Sequence, residues 1–94
     1  KNIDLRAGVR KSEVADWKGA IESWTRALNA KRKVARRAAF NIAVAYEVLG
    51  NLEKAKEWAS KSYTEYGEKR GKPYYDALVY RQREEAVIKR QTGQ

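Results

Sequence analysis

The chain has 94 residues, a net charge of +9 from 21 Lys and Arg against 12 Asp and Glu, and neither cysteine nor histidine. That length makes one domain, taken here as residues 1–94, and the missing thiols and imidazoles exclude disulfides, a Cys/His zinc site and the commonest general base. No stretch approaches the roughly 18 uncharged apolar residues that suggest a membrane span; the longest apolar run, Ala38 to Tyr46, is interrupted by Asn41.

The composition is helical, rich in Ala, Lys, Arg and Glu with a single Pro, and its punctuation predicts five helices. The first is expected from about Ile3 to Val14, with Asn2 or Asp4 near its start. The second opens at Asp16, whose carboxylate can accept from the free N–H groups of a first turn. Its apolar residues Trp17, Ala20, Ile21, Trp24, Ala27 and Leu28 recur at helical spacing. Asn29 to Lys33 reads as a basic connector to a third helix at about Val34 to Leu49. Gly50 suits the left-handed position that ends it, and Asn51 caps a fourth helix running to about Tyr66. A link this short forces the two helices antiparallel. Gly67 closes the fourth helix, and Pro73 fits the first turn of a last helix over about 73–91, where a missing N–H costs little.

Two segments repeat at a spacing of 35: Asp16-Trp17-Lys18-Gly19-Ala20 answers to Asn51-Leu52-Glu53-Lys54-Ala55. A fixed period in this range implies stacked helix–turn–helix units. Ala39, Ile42, Ala43, Tyr46, Gly50, Ala55, Ala59 and Ser62 fill the signature places of one tetratricopeptide repeat, and Ala7, Gly8, Ala15, Ala20, Trp24 and Ala27 fill them in the same register. The chain therefore resembles the tetratricopeptide family over about residues 2–66. It departs from the pattern at Lys11, where an aromatic is usual, at Ala39, and at Ala59, which is small where the first unit has Trp24. The resemblance implies an all-α fold: two tandem tetratricopeptide-like units (about 2–30 and 34–67) and a C-terminal capping helix, a fragment of an α-solenoid. More narrowly, Trp17, Ala20 and Trp24, the stretch Lys33-Val34-Ala35 through Ala43, and Glu47, Gly50, Ala55 and Glu57-Trp58 resemble the helical C-terminal region of cell-envelope lipoproteins of Gram-negative bacteria. That likeness implies a periplasmic-side location and no assigned activity. It fits the opening on Lys1 rather than Met, from which we expect a portion of a longer protein.

Catalysis is hard to assemble from these residues. The carboxylates are scattered singly, and the adjacent Glu84 and Glu85 point to different faces of a helix. Gly67-x3-Gly71-Lys72-Pro73 is too short for a phosphate loop and has Pro where a hydroxyl is needed. No enzyme activity, cofactor or metal is expected. The resemblance instead implies that the opening helix of each unit lines a concave face, which we expect to bind a protein, a peptide or an N-terminal domain of its own that lies outside this sequence. The residues it places there are Arg6, Arg37, Phe40, Asn41, Val44 and Glu47, with Asn2, Leu5, Val9, Ser12, Glu13 and Val48 alongside. Leu5 and Val9 occupy the places where some repeats of the family hold the Lys and Asn that grip a C-terminal carboxylate, so that activity is not expected. Asn41 would either clamp a peptide backbone or serve a neighbouring loop or the last helix.

Lys31, Arg32, Lys33 and Arg36, with Arg37, form the densest basic cluster. Cations near a helix start oppose the macrodipole, so the cluster is either a solvated turn or a site for nucleic acid or anionic lipid. It has no interleaved aromatics of the kind that stack on bases. Trp17 and Trp24 are expected to pack between hairpins, and Trp58, Tyr63, Tyr66, Tyr74 and Tyr75 to form a second cluster where the last helix docks.

Overall fold

A computed structural model describes residues 2–93, and every regular element in it is a helix: α1 (Ile3–Glu13), α2 (Trp17–Ala27), α3 (Arg32–Val48), α4 (Leu52–Thr64) and α5 (Gly71–Thr92). Three of these start on side-chain caps. Asn2 accepts from the Leu5 amide at 2.9 Å, Asp16 from Gly19 at 3.0 Å and Asn51 from Lys54 at 3.1 Å. Each cap satisfies one of the amides that a helix start leaves without an intrahelical partner.

The other two helices begin earlier than their punctuation implies. Helix α3 starts at Arg32, because Arg and Lys are good helix formers and Lys31, in an extended conformation, ends the connector. Helix α5 starts at Gly71, which puts Pro73 third in the helix and still inside the first turn, where no N–H is required.

The hairpin turns match at the spacing of 35. Gly50 takes φ 81° before Asn51, and Ala15 takes φ 62° before Asp16. The left-handed region is where a residue with a Cβ is strained, so the first turn adopts its conformation despite its residue type. Capping by Asp16 and the close α1–α2 packing hold it there.

Each helix packs on its sequence neighbour, and α1 also lies against α3. The core is built on alanine. Ala20, Ala27, Ala38 and Ala45 are buried with Trp24 and Ile42, and a second cluster gathers Ala43, Ala55 and Ala59 with Leu78 of α5. Small side chains let helix backbones approach closely, and the few large ones fill what remains.

The equivalent sites Gly8 and Ala43 illustrate the trade. Gly8 faces Trp24, whose ring atoms Cδ1 and Cε2 would lie 2.5 Å from any Cβ added there. Ala43 packs in the cluster that contains Ala59, the residue standing in Trp24's place in the second hairpin. The Trp24 indole N–H donates to the Leu5 carbonyl at 3.1 Å, tying α2 to α1. Lys11, which stands where an aromatic was expected, reaches the buried Ser23 hydroxyl at 3.0 Å.

Trp17 and Trp24 both join the core between the hairpins. At the α5 end Trp58, Tyr74 and Tyr75 cluster as expected, whereas Tyr63 stays 45 % exposed. Tyr66, also expected there, does not join that cluster either. Gln82 bridges α5 to Lys56 and Glu53 on α4, and beyond it the helix carries no buried residue. The molecule measures 49 × 28 × 14 Å with a radius of gyration of 14.4 Å. That exceeds the roughly 12.4 Å expected of a sphere-like domain of this length.

Candidate functional site

Helices α1 and α3 lie side by side and present one surface between them. Leu5, Arg6, Val9 and Arg10 come from successive turns of α1, and Arg37, Asn41 and Val44 from α3. Two clefts run along this seam and share Val9 and Asn41. The first, of about 440 Å³, is lined by Leu5, Arg6, Val9, Arg10, Arg37 and Asn41. The second, of about 240 Å³, is lined by Val9, Ser12, Trp17, Trp24, Asn41 and Val44. Together they form one groove with a basic half and an apolar half.

The charges on the groove are unbalanced. Among the described residues Arg6, Arg10 and Arg37 form no ion pair, and no carboxylate lines either cleft. Of the acidic groups on α1 and α3, Asp4 pairs with Arg26 at 3.1 Å and Glu47 accepts from both Tyr74 and Arg81 of α5, while the exposed Glu13, one turn beyond Val9, lines neither cleft. Asn41 is half-buried at the junction of the two halves. Among the described residues it makes no side-chain hydrogen bond, and no buried polar side-chain atom is left without a partner. Its amide therefore opens to solvent in the groove and does not serve a neighbouring loop or α5.

The residues marked in the sequence thus divide. Arg6, Arg37, Asn41 and Val44 line the groove. Phe40 and Glu47 are taken up by α5. The Phe40 ring lies 5.4 Å from that of Tyr74, centroid to centroid, and the Arg70 guanidinium sits 4.2 Å over it. Burial, and then the Glu47 carboxylate, push the Tyr74 phenol well above its usual range, so it remains a donor to Glu47. Three contributors escaped the sequence reading. Arg10 stands one turn from Arg6, a spacing that puts both on one face. Trp17 and Trp24 line the apolar half, although a core assignment had already claimed both.

The basic cluster is also divided. Lys31, Arg32 and Lys33 are exposed at the start of α3, where no acidic residue occupies the first turn. Arg36 lines a separate cleft of about 320 Å³ with Gly67, Glu68 and Lys69. Gly67, at φ 73°, leaves room for Arg32: a Cβ there would stand 2.7 Å from the guanidinium.

Glu68 is the one buried carboxylate among the described residues, with 8 % of its surface exposed. Arg70 grips it through its backbone amide at 3.0 Å and through its guanidinium at 2.9 and 3.1 Å. These hydrogen bonds, chiefly those of the guanidinium, hold its pKa down from 4.5 to about 2. A carboxylate more acidic in the folded chain than in the unfolded one stabilises the fold above the unfolded pKa. That contribution is lost as pH falls through the folded one. Stability is therefore expected to decline between about pH 4.5 and 2 by about 1–2 kcal/mol more in the wild type than in Glu68→Gln, with the exposed half of Arg70 screened by water. Urea denaturation across that range measures the difference.

Among the described residues no helix is long and apolar enough to cross a membrane, and no group of three or more Asp and Glu gathers as a metal site would require. The family model described as Domain of unknown function (DUF6340) matches residues 6–85, which span the groove and the docked part of α5. No curated protein and no solved structure matches the chain.

Proposed function

We propose that this chain, which belongs to the DUF6340 family, is a non-catalytic interaction module of tandem tetratricopeptide-like hairpins that takes a protein or peptide along the seam of α1 and α3. The observation that carries the reading is the groove itself, basic at one end and apolar at the other, with Asn41 uncommitted at the junction. The repeat reading draws support from the matched caps and left-handed turns at a spacing of 35, from the packing of each helix on the next, and from the elongated outline. By the narrower resemblance to envelope lipoproteins, the partner would be met on the periplasmic side of a Gram-negative envelope.

The test is the double variant Arg37→Ala with Asn41→Ala. Neither side chain bonds to another described residue, so the thermal midpoint should stay within about 2 °C of wild type, as surface substitutions usually do. Hydrogen exchange on the chain, with and without a peptide selected to bind it, reads the contact. Protection of α1 and α3 amides by that peptide, lost in the double variant, supports the module. A large fall in the midpoint would instead make Asn41 a structural residue.

A second reading assigns Lys31, Arg32, Lys33 and Arg36 to nucleic acid or anionic lipid, and one observation favours it. Arg32 and Lys33 occupy a helix start, where the dipole disfavours cations and no acidic side chain offsets them. If four of these residues met phosphates of a single strand, affinity would fall about 50-fold from 50 to 200 mM salt. No binding of a labelled oligonucleotide or of phosphatidylglycerol vesicles at low salt would end this reading.

A further inference from the structure

We infer that the segment seated in the groove is an acidic stretch with a bulky apolar residue beside it, its carboxylates on Arg6, Arg10 and Arg37 and its apolar side chain against Val9, Val44 and the partly buried Trp17. The inference rests on the module reading and specifies the chemistry of its partner.

Charge argues first. Three guanidinium groups converge on one cleft, and among the described residues none has an anionic partner. Like charges brought together at a surface repel unless a counter-charge joins them. Guanidinium groups match carboxylates bidentately, so an acidic segment gains both charge and geometry. The second half of the groove argues for the apolar neighbour. Val9, Val44 and the partly buried Trp17 make an apolar wall backed by Trp24, with Ser12 and Asn41 as its polar residues. Asn41, at the boundary, offers a donor and an acceptor to the backbone of an extended segment crossing from one half to the other.

The competing occupants fit less well. A second copy of this chain brings another +9, and at neutral pH the two would repel. Nucleic acid would place bases in the apolar half, but Trp24 is 3 % exposed and Trp17 is partly buried against the core, which leaves one partly covered ring for stacking. Within the chain, the closest stretch of the right sign is Glu84-Glu85, and Arg81 and Arg83 cancel its charge.

Selection of random dodecapeptides displayed on phage against the 94-residue chain tests the inference, with Arg6→Glu/Arg37→Glu as the comparison target and amide chemical-shift mapping of the best-enriched peptide. The expected result has three parts. Enriched peptides carry two or more Asp or Glu next to Leu, Ile, Phe or Trp. Their shifts fall on Leu5–Arg10 and Arg37–Val44. The charge-reversed variant binds them at least tenfold more weakly while keeping its thermal midpoint. Enrichment of basic or purely apolar peptides on the same face would overturn the inference and leave the module standing. Acidic peptides that map to Lys31–Arg36 would overturn it in favour of the other cluster. If no peptide of any composition binds and the chain is folded by its amide spectrum, both the inference and the peptide form of the module reading fail. A labelled oligonucleotide that shifts the groove residues more strongly than any peptide would replace the acidic segment by nucleic acid.

Discussion

Trp24→Ala should lower the stability of the chain by about 3–5 kcal/mol, the cost of removing a fully packed aromatic and leaving its space. Near 4–8 °C per kcal/mol for a domain of this size, the thermal midpoint falls by more than about 12 °C. The loss is large because the rest of the core is small. Nine of the twelve apolar residues buried among those described are alanines, and Trp24, Ile42 and Leu78 are the other three. Trp24→Phe keeps most of the volume and removes the hydrogen bond to the Leu5 carbonyl, so its cost should be about 1–2 kcal/mol. The sharper test couples Trp24 to Gly8. In the wild type Gly8→Ala drives a Cβ to 2.5 Å from two atoms of the indole ring and should cost about 1–3 kcal/mol. In the Trp24→Ala background that space is empty. The same change then gains the helix propensity of alanine over glycine, up to about 1 kcal/mol. The two substitutions should therefore be coupled by about 2–3 kcal/mol in a urea-denaturation cycle. Equal effects of Gly8→Ala in both backgrounds would mean that Gly8 and Trp24 do not meet.

That coupling also shows why some of the structure was legible in the sequence. Asp16 and Asn51 are local signals: one short side chain, one free amide three residues on, and a helix starts. The Gly50 and Gly67 stops are equally local, since a positive φ is cheap only without a Cβ. Where no cap marks the start, as at α3 and α5, the boundary moved by two residues. Propensity and packing decide such starts, and neither has a single residue as its signature. Ala15 is the instructive exception. Its left-handed turn is visible only by aligning it with Gly50 thirty-five residues later, because its own type argues against the conformation.

The groove was legible in part for a different reason. The tetratricopeptide resemblance implies that Arg6 and Arg37 face a common groove, and both line the cleft between α1 and α3. Phe40 and Glu47 have the same place in the resemblance and still leave the groove, because Tyr74, Arg70 and Arg81 reach them from a segment more than twenty residues away. Nothing local to α3 announces those partners. Side chains selected by face are candidates, and which of them stay open is settled by whatever else docks on that face.

Docking of α5 can be broken at one atom, and this carries the second large effect. Gly71 is buried against α4, where an added Cβ would stand 2.6 Å from the Ala59 carbonyl oxygen and 3.0 Å from the Tyr63 amide nitrogen. Both are backbone atoms of a packed helix and cannot rotate away, so Gly71→Ala must lift the start of α5 off α4. The expected cost is about 3 kcal/mol, at the upper end for overpacking, and Gly71→Val should cost more. Because α5 is terminal, the damage should stay local. Hydrogen exchange should accelerate from Leu78 to Gln82, and chymotrypsin should cut at Tyr74 or Tyr80, while α1 to α3 keep their protection. Uniform acceleration across all five helices would show that α5 and the hairpins unfold as one unit. Undocking has a consequence for the groove as well. It withdraws Arg70 and Arg81 and frees the Glu47 carboxylate, one turn beyond Val44 on α3. A freed carboxylate there repels an acidic segment, so the peptide affinity of Gly71→Ala should fall several-fold although every residue lining the groove is intact. Gly71→Ala combined with Glu47→Gln should recover that affinity without recovering the protection of α5, because the repulsion is removed and the clash is not.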